Sequence, residues 1–128
     1  QEMRRLVGLH DLFPDFAVDD HIFDPEGYSY NGILGADYAT LHVTPQRIGS
    51  YVSFETNVLL GAAAQRAVVS RLLSSFHPAR CDLMLFGARL DTSGAPAGFR
   101  TTMTAQKRLG CGYTIDYAHV QRLAAAPR

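Results

Sequence analysis

Residues Phe23 to Asn57, FDPEGYSYNGILGADYATLHVTPQRIGSYVSFETN, decide the reading of this chain. Gly35-Ala36 offers a hairpin turn with glycine first, as a type II′ turn requires. The strand before it is expected over residues 20–34, the return strand over Asp37 to Thr44 with Pro45 ending it, and a third over Ser50 to Thr56. With Leu34 opposite Asp37, Ser29 falls across from His42, Asn31 from Thr40 and Gly27 from Thr44. These share one face because strand side chains alternate. The other face collects Tyr28, Tyr30, Leu34, Ala39, Leu41 and Val43, the candidate core. A polar face where a core is normally expected points to a functional surface held on rigid elements.

Working outward, Met3 to Phe13 reads as a short helix closed by Pro14. Gly61 to Phe76 reads as a longer one. Its apolar stripe is Ala64, Val68, Leu72 and Phe76, with Gln65 and Arg66 off it, and His77-Pro78 stops it. Strands follow over Cys81 to Ala88 and Phe99 to Gln106, separated by the Gly-, Pro- and Ser-rich loop Asp91 to Gly98. Tyr113 to Leu123 is a last strand or a terminal helix. Hairpin-linked strands beside segregated helices define an α+β fold: one mostly antiparallel sheet with helices on one face, leaving the other face in need of a partner. Residues 1–128 are read as a single domain.

The composition of the 128 residues is that of a soluble globular domain, 47% hydrophobic and 19% charged. Twelve basic and twelve acidic residues cancel, so no electrostatic footprint for nucleic acid or an anionic membrane is present. No apolar run is long enough to span a bilayer. The two cysteines, Cys81 and Cys111, form no CxxC pair and have no metal-ligand spacing with the five histidines, so neither a metal site nor a disulfide framework is expected. A reducing, cytoplasmic compartment follows from that reading. Cys81, beside the run Leu83 to Phe86, reads as a small buried hydrophobe. The first residue is Gln1 and no signal-peptide pattern precedes the fold, so the chain is expected to be a trimmed, cleaved or partial piece of something longer.

On the polar face, His42 can give or take a proton near neutral pH and Ser29 can orient or donate. The same pair also serves as a plain cross-strand hydrogen bond. No acidic residue adjoins His42 in sequence, which does not support a hydrolytic triad. Glu26 and Gln46 stand at the outer strand ends, to read a ligand or to face solvent. Glu55 shares a face with Tyr51 and Ser53, and its carboxylate either meets a cation or stays in water. Phe23 can stack on a planar ligand or enter the core.

The ordered motifs FDPEGYSYNG, TLHVTPQ and SYVSFETN resemble those of the eukaryotic-type S-adenosylmethionine decarboxylases: F-x-P-C-G-Y-S-x-N-G, T-I-H-[IV]-T-P-E and S-Y-[VA]-S-F-E-T. The resemblance is strong over Phe23 to Asn57 and weaker beyond. It implies one half, here the C-terminal one, of a four-layer αββα sandwich with its active site between the halves. It also implies a pyruvoyl-dependent decarboxylase that supplies decarboxylated S-adenosylmethionine for spermidine and spermine synthesis. The covalent pyruvoyl group would derive from a serine outside this chain, so the chain alone is expected to be inactive and to need the N-terminal half or a companion chain.

By the same resemblance, Ser29 and His42 match the pair that assists self-processing, Phe23 the aromatic against the adenine, and Glu55 an acidic residue of the putrescine site. Glu26 replaces the motif's cysteine and Gln46 its ribose-holding glutamate. Those two departures keep open a pyruvoyl-dependent decarboxylase of a different amino acid. A non-catalytic regulatory relative is the remaining alternative.

Overall fold

The computed structural model describes residues 8–87, 89–91 and 93–124. The chain divides into two compact units, Gln1–Leu59 and Leu60–Arg128.

The first unit holds α1 (Leu9–Leu12), β1 (Ala17–Ile22), β2 (Tyr28–Leu34), β3 (Asp37–Thr44) and β4 (Tyr51–Thr56), with the strands in the order β1-β2-β3-β4. Most of the helix expected over Met3 to Phe13 lies outside the described residues; the part inside is α1. The single strand expected over residues 20–34 is two strands. Asp24-Pro25, a cis peptide, and Gly27 at φ 137 turn the chain between them, and Phe23 N–H donates to the Gly27 carbonyl at 3.0 Å. Proline and glycine together outweigh the β-propensity of the flanking residues. The hairpin register is as expected: Leu34 pairs with Asp37 and Ser29 with His42. Gly35 has φ 61 and Ala36 does not take a positive φ, which fits the type II′ turn.

Tyr28, Tyr30, Ala39 and Leu41 are buried with Leu9 and Phe13 of the α1 segment. Phe13 packs on Phe54 with ring centroids 6.1 Å apart and on Phe16 at 5.2 Å. Gly32 shares this face by alternation, and a Cβ there would stand 2.9 Å from the Tyr30 hydroxyl, so glycine leaves room for the buried ring. Burial, and then the charge of Asp20, push the Tyr30 phenol above its ordinary pKa. Leu34, expected in this core, is 46% exposed; it closes the ladder at the hairpin end, paired with Asp37. Thr56 and Asn57 tie that end down. Asn57 accepts from Tyr38 N–H at 2.6 Å and donates to the Ala36 carbonyl at 2.8 Å, while the Thr56 hydroxyl donates to the Tyr38 carbonyl.

The second unit holds α2 (Ala62–Phe76), β5 (Arg80–Phe86), β6 (Phe99–Arg108) and β7 (Thr114–Arg122). The last segment is thus a strand, and it takes the centre of a three-stranded sheet ordered β5-β7-β6. The single sheet expected from the sequence is two sheets. In chain order α2 comes between β4, the last strand of the first sheet, and β5, the first of the second. The buried positions of α2 are Gln65, Val68 and Leu73; of the expected stripe Val68 is buried, Leu72 and Phe76 are half-buried and Ala64 is exposed. Gln65 is buried because its polar atoms are all used. Its amide donates to the carbonyls of Leu60 (2.9 Å) and Arg89 (3.3 Å), and its oxygen accepts from Asp91 N–H at 3.1 Å. His77, at φ 49, caps the helix by donating its N–H to the Leu73 carbonyl. Cys81 is half-buried, and burial pushes its thiol pKa up.

One face of this sheet carries Asp82, whose Oδ1 lies 2.6 Å from His119 Nδ1 and accepts from the Tyr117 hydroxyl at 2.7 Å. These two hydrogen bonds hold the Asp82 carboxyl below the usual carboxylate range, and the same contact raises the Tyr117 phenol. A carboxyl whose pKa is lower in the folded than in the unfolded state adds stability that is present above about pH 4 and lost as pH falls through that range. Thermal unfolding of Asp82→Asn should therefore show a smaller loss of Tm between pH 6 and pH 3 than wild type. An equal loss in both would show that Asp82 contributes nothing to the acid dependence.

Candidate functional site

The strand registers of the first unit align side chains in rungs. His21 pairs with Ser29, Ser29 with His42, and His42 with Ser53. Two residues further along, Asp19, Asn31, Thr40 and Glu55 form the next rung. All eight lie on the face opposite the Tyr28–Tyr30–Leu41 core, because alternate residues share a face. Alternation places Ser29, Asn31, Thr40, His42, Ser53 and Glu55 on this side, where they share the face with the exposed Ile33, Tyr38 and Tyr51.

Within the first rung, Ser29 Oγ is 3.2 Å from His42 Nδ1, and Asn31 Nδ2 donates to the same Oγ at 3.1 Å. The amide occupies a lone pair of the hydroxyl and leaves its proton free for Nδ1. That arrangement favours the His42 tautomer with its own proton on Nε2, facing away from the serine. Ser29 is half-buried and His42 exposed, so the imidazole is open to a reacting group. The three side chains form a hydrogen-bonded set on neighbouring strands, and among the described residues no carboxylate is bonded to the histidine.

The other candidates divide by place. Glu55 shares the open face and sits one rung from the pair, across from Thr40. Phe23 and Glu26 lie in the β1–β2 loop and Gln46 in the β3–β4 connection; both loops leave the same end of the sheet, the end nearer the Ser29 rung. All three are exposed. No hydrogen bond ties Phe23, Glu26 or Gln46 to Ser29 or His42 among the described residues. Phe23 lies against its own loop: a Cβ on Gly27 would be in ordinary contact with Phe23 Cβ at 3.4 Å and Cδ2 at 3.5 Å, and it is the φ of 137 that favours glycine there.

His21 and Asp19 were not singled out from the sequence. They join the polar face only through the β1–β2 hairpin, and the signal for it was the Asp-Pro-Glu-Gly turn composition at residues 24–27. Among the described residues, no cluster of three or more His, Cys, Asp or Glu side chains is arranged to hold a metal ion. Among the same residues, no helix is long and apolar enough to cross a membrane.

The first unit thus presents a hydrogen-bonded serine, histidine and asparagine on one face of an antiparallel sheet. The chain belongs to the adenosylmethionine decarboxylase family, whose model matches residues 1–126. It is similar to the S-adenosylmethionine decarboxylase proenzyme of Dictyostelium discoideum, 43% identical over 91 residues, which cover 71% of this chain and 22% of that protein. The proenzyme of Drosophila melanogaster is 40% identical over 80 residues, 62% of this chain and 22% of that protein. The chain thus spans about a fifth of the length of these curated relatives. The structure of the Trypanosoma brucei AdoMetDC-delta26 monomer matches with a TM-score of 0.80 and 22% identity, covering 96% of this chain and 53% of that one. That likeness is one of fold, and it bears out the α+β class expected from the sequence, one half of the αββα sandwich.

Proposed function

We propose that this chain is the C-terminal part of a pyruvoyl-dependent S-adenosylmethionine decarboxylase, a cytoplasmic enzyme supplying decarboxylated S-adenosylmethionine for spermidine and spermine synthesis. The observation that carries the reading is the 3.2 Å contact of Ser29 Oγ with His42 Nδ1, buttressed by Asn31. The names of the relatives, all decarboxylase proenzymes, support it.

The donor set fits a carbonyl cofactor made from the chain itself. A neutral hydroxyl, an imidazole and an amide can hold and move a proton without a metal ion. A pyruvoyl group supplies an electrophilic carbonyl and an electron sink for loss of carbon dioxide. His42 is the proton-transfer base of self-processing in this reading, and Ser29 orients it. Phe23, half exposed at the sheet end, offers its ring to the adenine. Glu26 and Gln46 flank the same end from their two loops and bind the substrate. Glu55, on the open face, is the carboxylate that meets putrescine as effector. The processing serine and the N-terminal half come from outside these residues.

A second reading, decarboxylation of a different amino acid, is favoured by one observation. Glu26 adds a second exposed carboxylate beside Asp24 in the loop at this end of the sheet, while Gln46 of the β3–β4 connection is neutral. Release of labelled carbon dioxide by the full-length protein, from S-adenosylmethionine beside a panel of carboxyl-labelled amino acids, tests both. Preference for S-adenosylmethionine supports the first reading and preference for another amino acid the second.

A further inference from the structure

The Phe23 and His21 rings stand 4.6 Å apart between centroids at an interplanar angle of 73°. This is the edge-to-face arrangement that aromatic pairs favour. His21 itself is held by the sheet, near the end of β1 and directly across from Ser29. Phe23 is the first residue beyond that strand, and two other contacts limit it. Its N–H is bonded to the Gly27 carbonyl, and its Cβ and ring edge lie along the Gly27 backbone. The loop therefore fixes where Phe23 starts, and among the described residues the His21 ring is the aromatic one that meets its ring. Despite these contacts Phe23 remains 50% exposed. An exposed aromatic braced by a neighbouring ring is one held ready for a planar partner, since an unbraced ring would lose rotamer freedom on binding.

We infer that His21 is a positioning residue: its imidazole sets the Phe23 ring, and through it the aromatic wall against which the substrate's purine stacks. The inference rests on the reading of Phe23 given above and adds a second residue to that wall. His21 touches neither the reacting carbon nor, by any hydrogen bond among the described residues, the Ser29–His42 pair. Its effect therefore falls on ground-state binding rather than on chemistry or self-processing.

The test is steady-state kinetics of the full-length, fully processed protein with S-adenosylmethionine. His21→Ala should raise KM about threefold to tenfold, the span that ring pairs of this kind support. It should leave kcat within about twofold and the processing rate unchanged. His21→Phe, which keeps a ring edge, should return KM to the wild-type value. Phe23→Ala should raise KM as well, and the double variant should show no further rise, because the histidine acts only through the phenylalanine. An additive double variant overturns the inference, as does a His21→Ala protein with unchanged KM beside a Phe23→Ala protein with raised KM. An unchanged KM in Phe23→Ala overturns the stacking reading itself, and the role of His21 falls with it. If His21→Ala does not accumulate as folded protein, His21→Leu against His21→Phe makes the same comparison at similar side-chain volume.

Discussion

Replacing His42 with alanine in the full-length protein is expected to slow conversion of the precursor into its two chains by about a hundredfold to ten-thousandfold, the range for removal of a positioned acid–base group. The expectation follows from geometry. His42 Nδ1 is 3.2 Å from Ser29 Oγ, and Asn31 fills the remaining side of that hydroxyl. Removing the imidazole leaves Ser29 hydrogen-bonded to Asn31 but without a proton acceptor. Ser29→Ala should have a smaller effect, because it loosens His42 without removing it. The fold should be unaffected by either change: both side chains point to the open face, and the burial of Tyr28, Tyr30 and Leu41 on the other face does not depend on them. A time course of precursor cleavage on denaturing gels, with far-UV circular dichroism as the control, reads the result. Cleavage of His42→Ala at the wild-type rate would remove the histidine from self-processing.

Leu41→Ala is expected to destabilise the protein by about 2–5 kcal/mol, the usual cost of truncating a buried leucine and leaving its cavity. Leu41 is fully buried on β3, between Tyr30 of β2 and Phe54 of β4 in register. Each neighbouring ring has an aromatic contact of its own, Tyr30 with His10 of α1 and Phe54 with Phe13, which opposes its moving into the space. Leu34→Ala is the matched control. Leu34 has the same alternation parity but is 46% exposed at the hairpin end, and its truncation should change stability by no more than about 0.5 kcal/mol. Urea midpoints followed by circular dichroism compare the two. Equal destabilisation would mean that the core of the first unit is not centred where the burial places it.

The two leucines show what periodicity carries and what it omits. Alternation put Leu34 and Leu41 on one face correctly, but not how far along the strands the covering residues reach. The Gly35-Ala36 turn was legible because a type II′ turn demands glycine at its first position, and register then followed by counting, which is why Ser29 met His42 as expected. The break at residues 23–27 differs from the expectation: alternation over residues 20–34 suggested one strand, and the turn chemistry of Pro25 and Gly27 prevailed. With that break missed, His21 and Asp19 could not be seen as part of the polar face. Gln65 was misassigned for a different reason. Polarity alone places a glutamine in solvent, yet the backbone groups of Leu60, Arg89 and Asp91 satisfy it completely, and such partners have no signature in local sequence. The split into two sheets was likewise hidden, since strand pattern does not state which strands share a ladder.

Among the proposed site residues, the serine–histidine pair was legible in the strands and the substrate loops only through resemblance. Ser29, His42 and Glu55 follow from register. Phe23, Glu26 and Gln46 lie in connections, where side-chain position depends on loop geometry rather than on a two-residue period.

The most direct test of the account is release of labelled carbon dioxide from carboxyl-labelled S-adenosylmethionine by the full-length protein after self-cleavage has been confirmed by intact mass. The account predicts release in step with the fraction of chain processed, and none from the isolated 128-residue chain. A fully cleaved protein that releases no carbon dioxide from S-adenosylmethionine would contradict it.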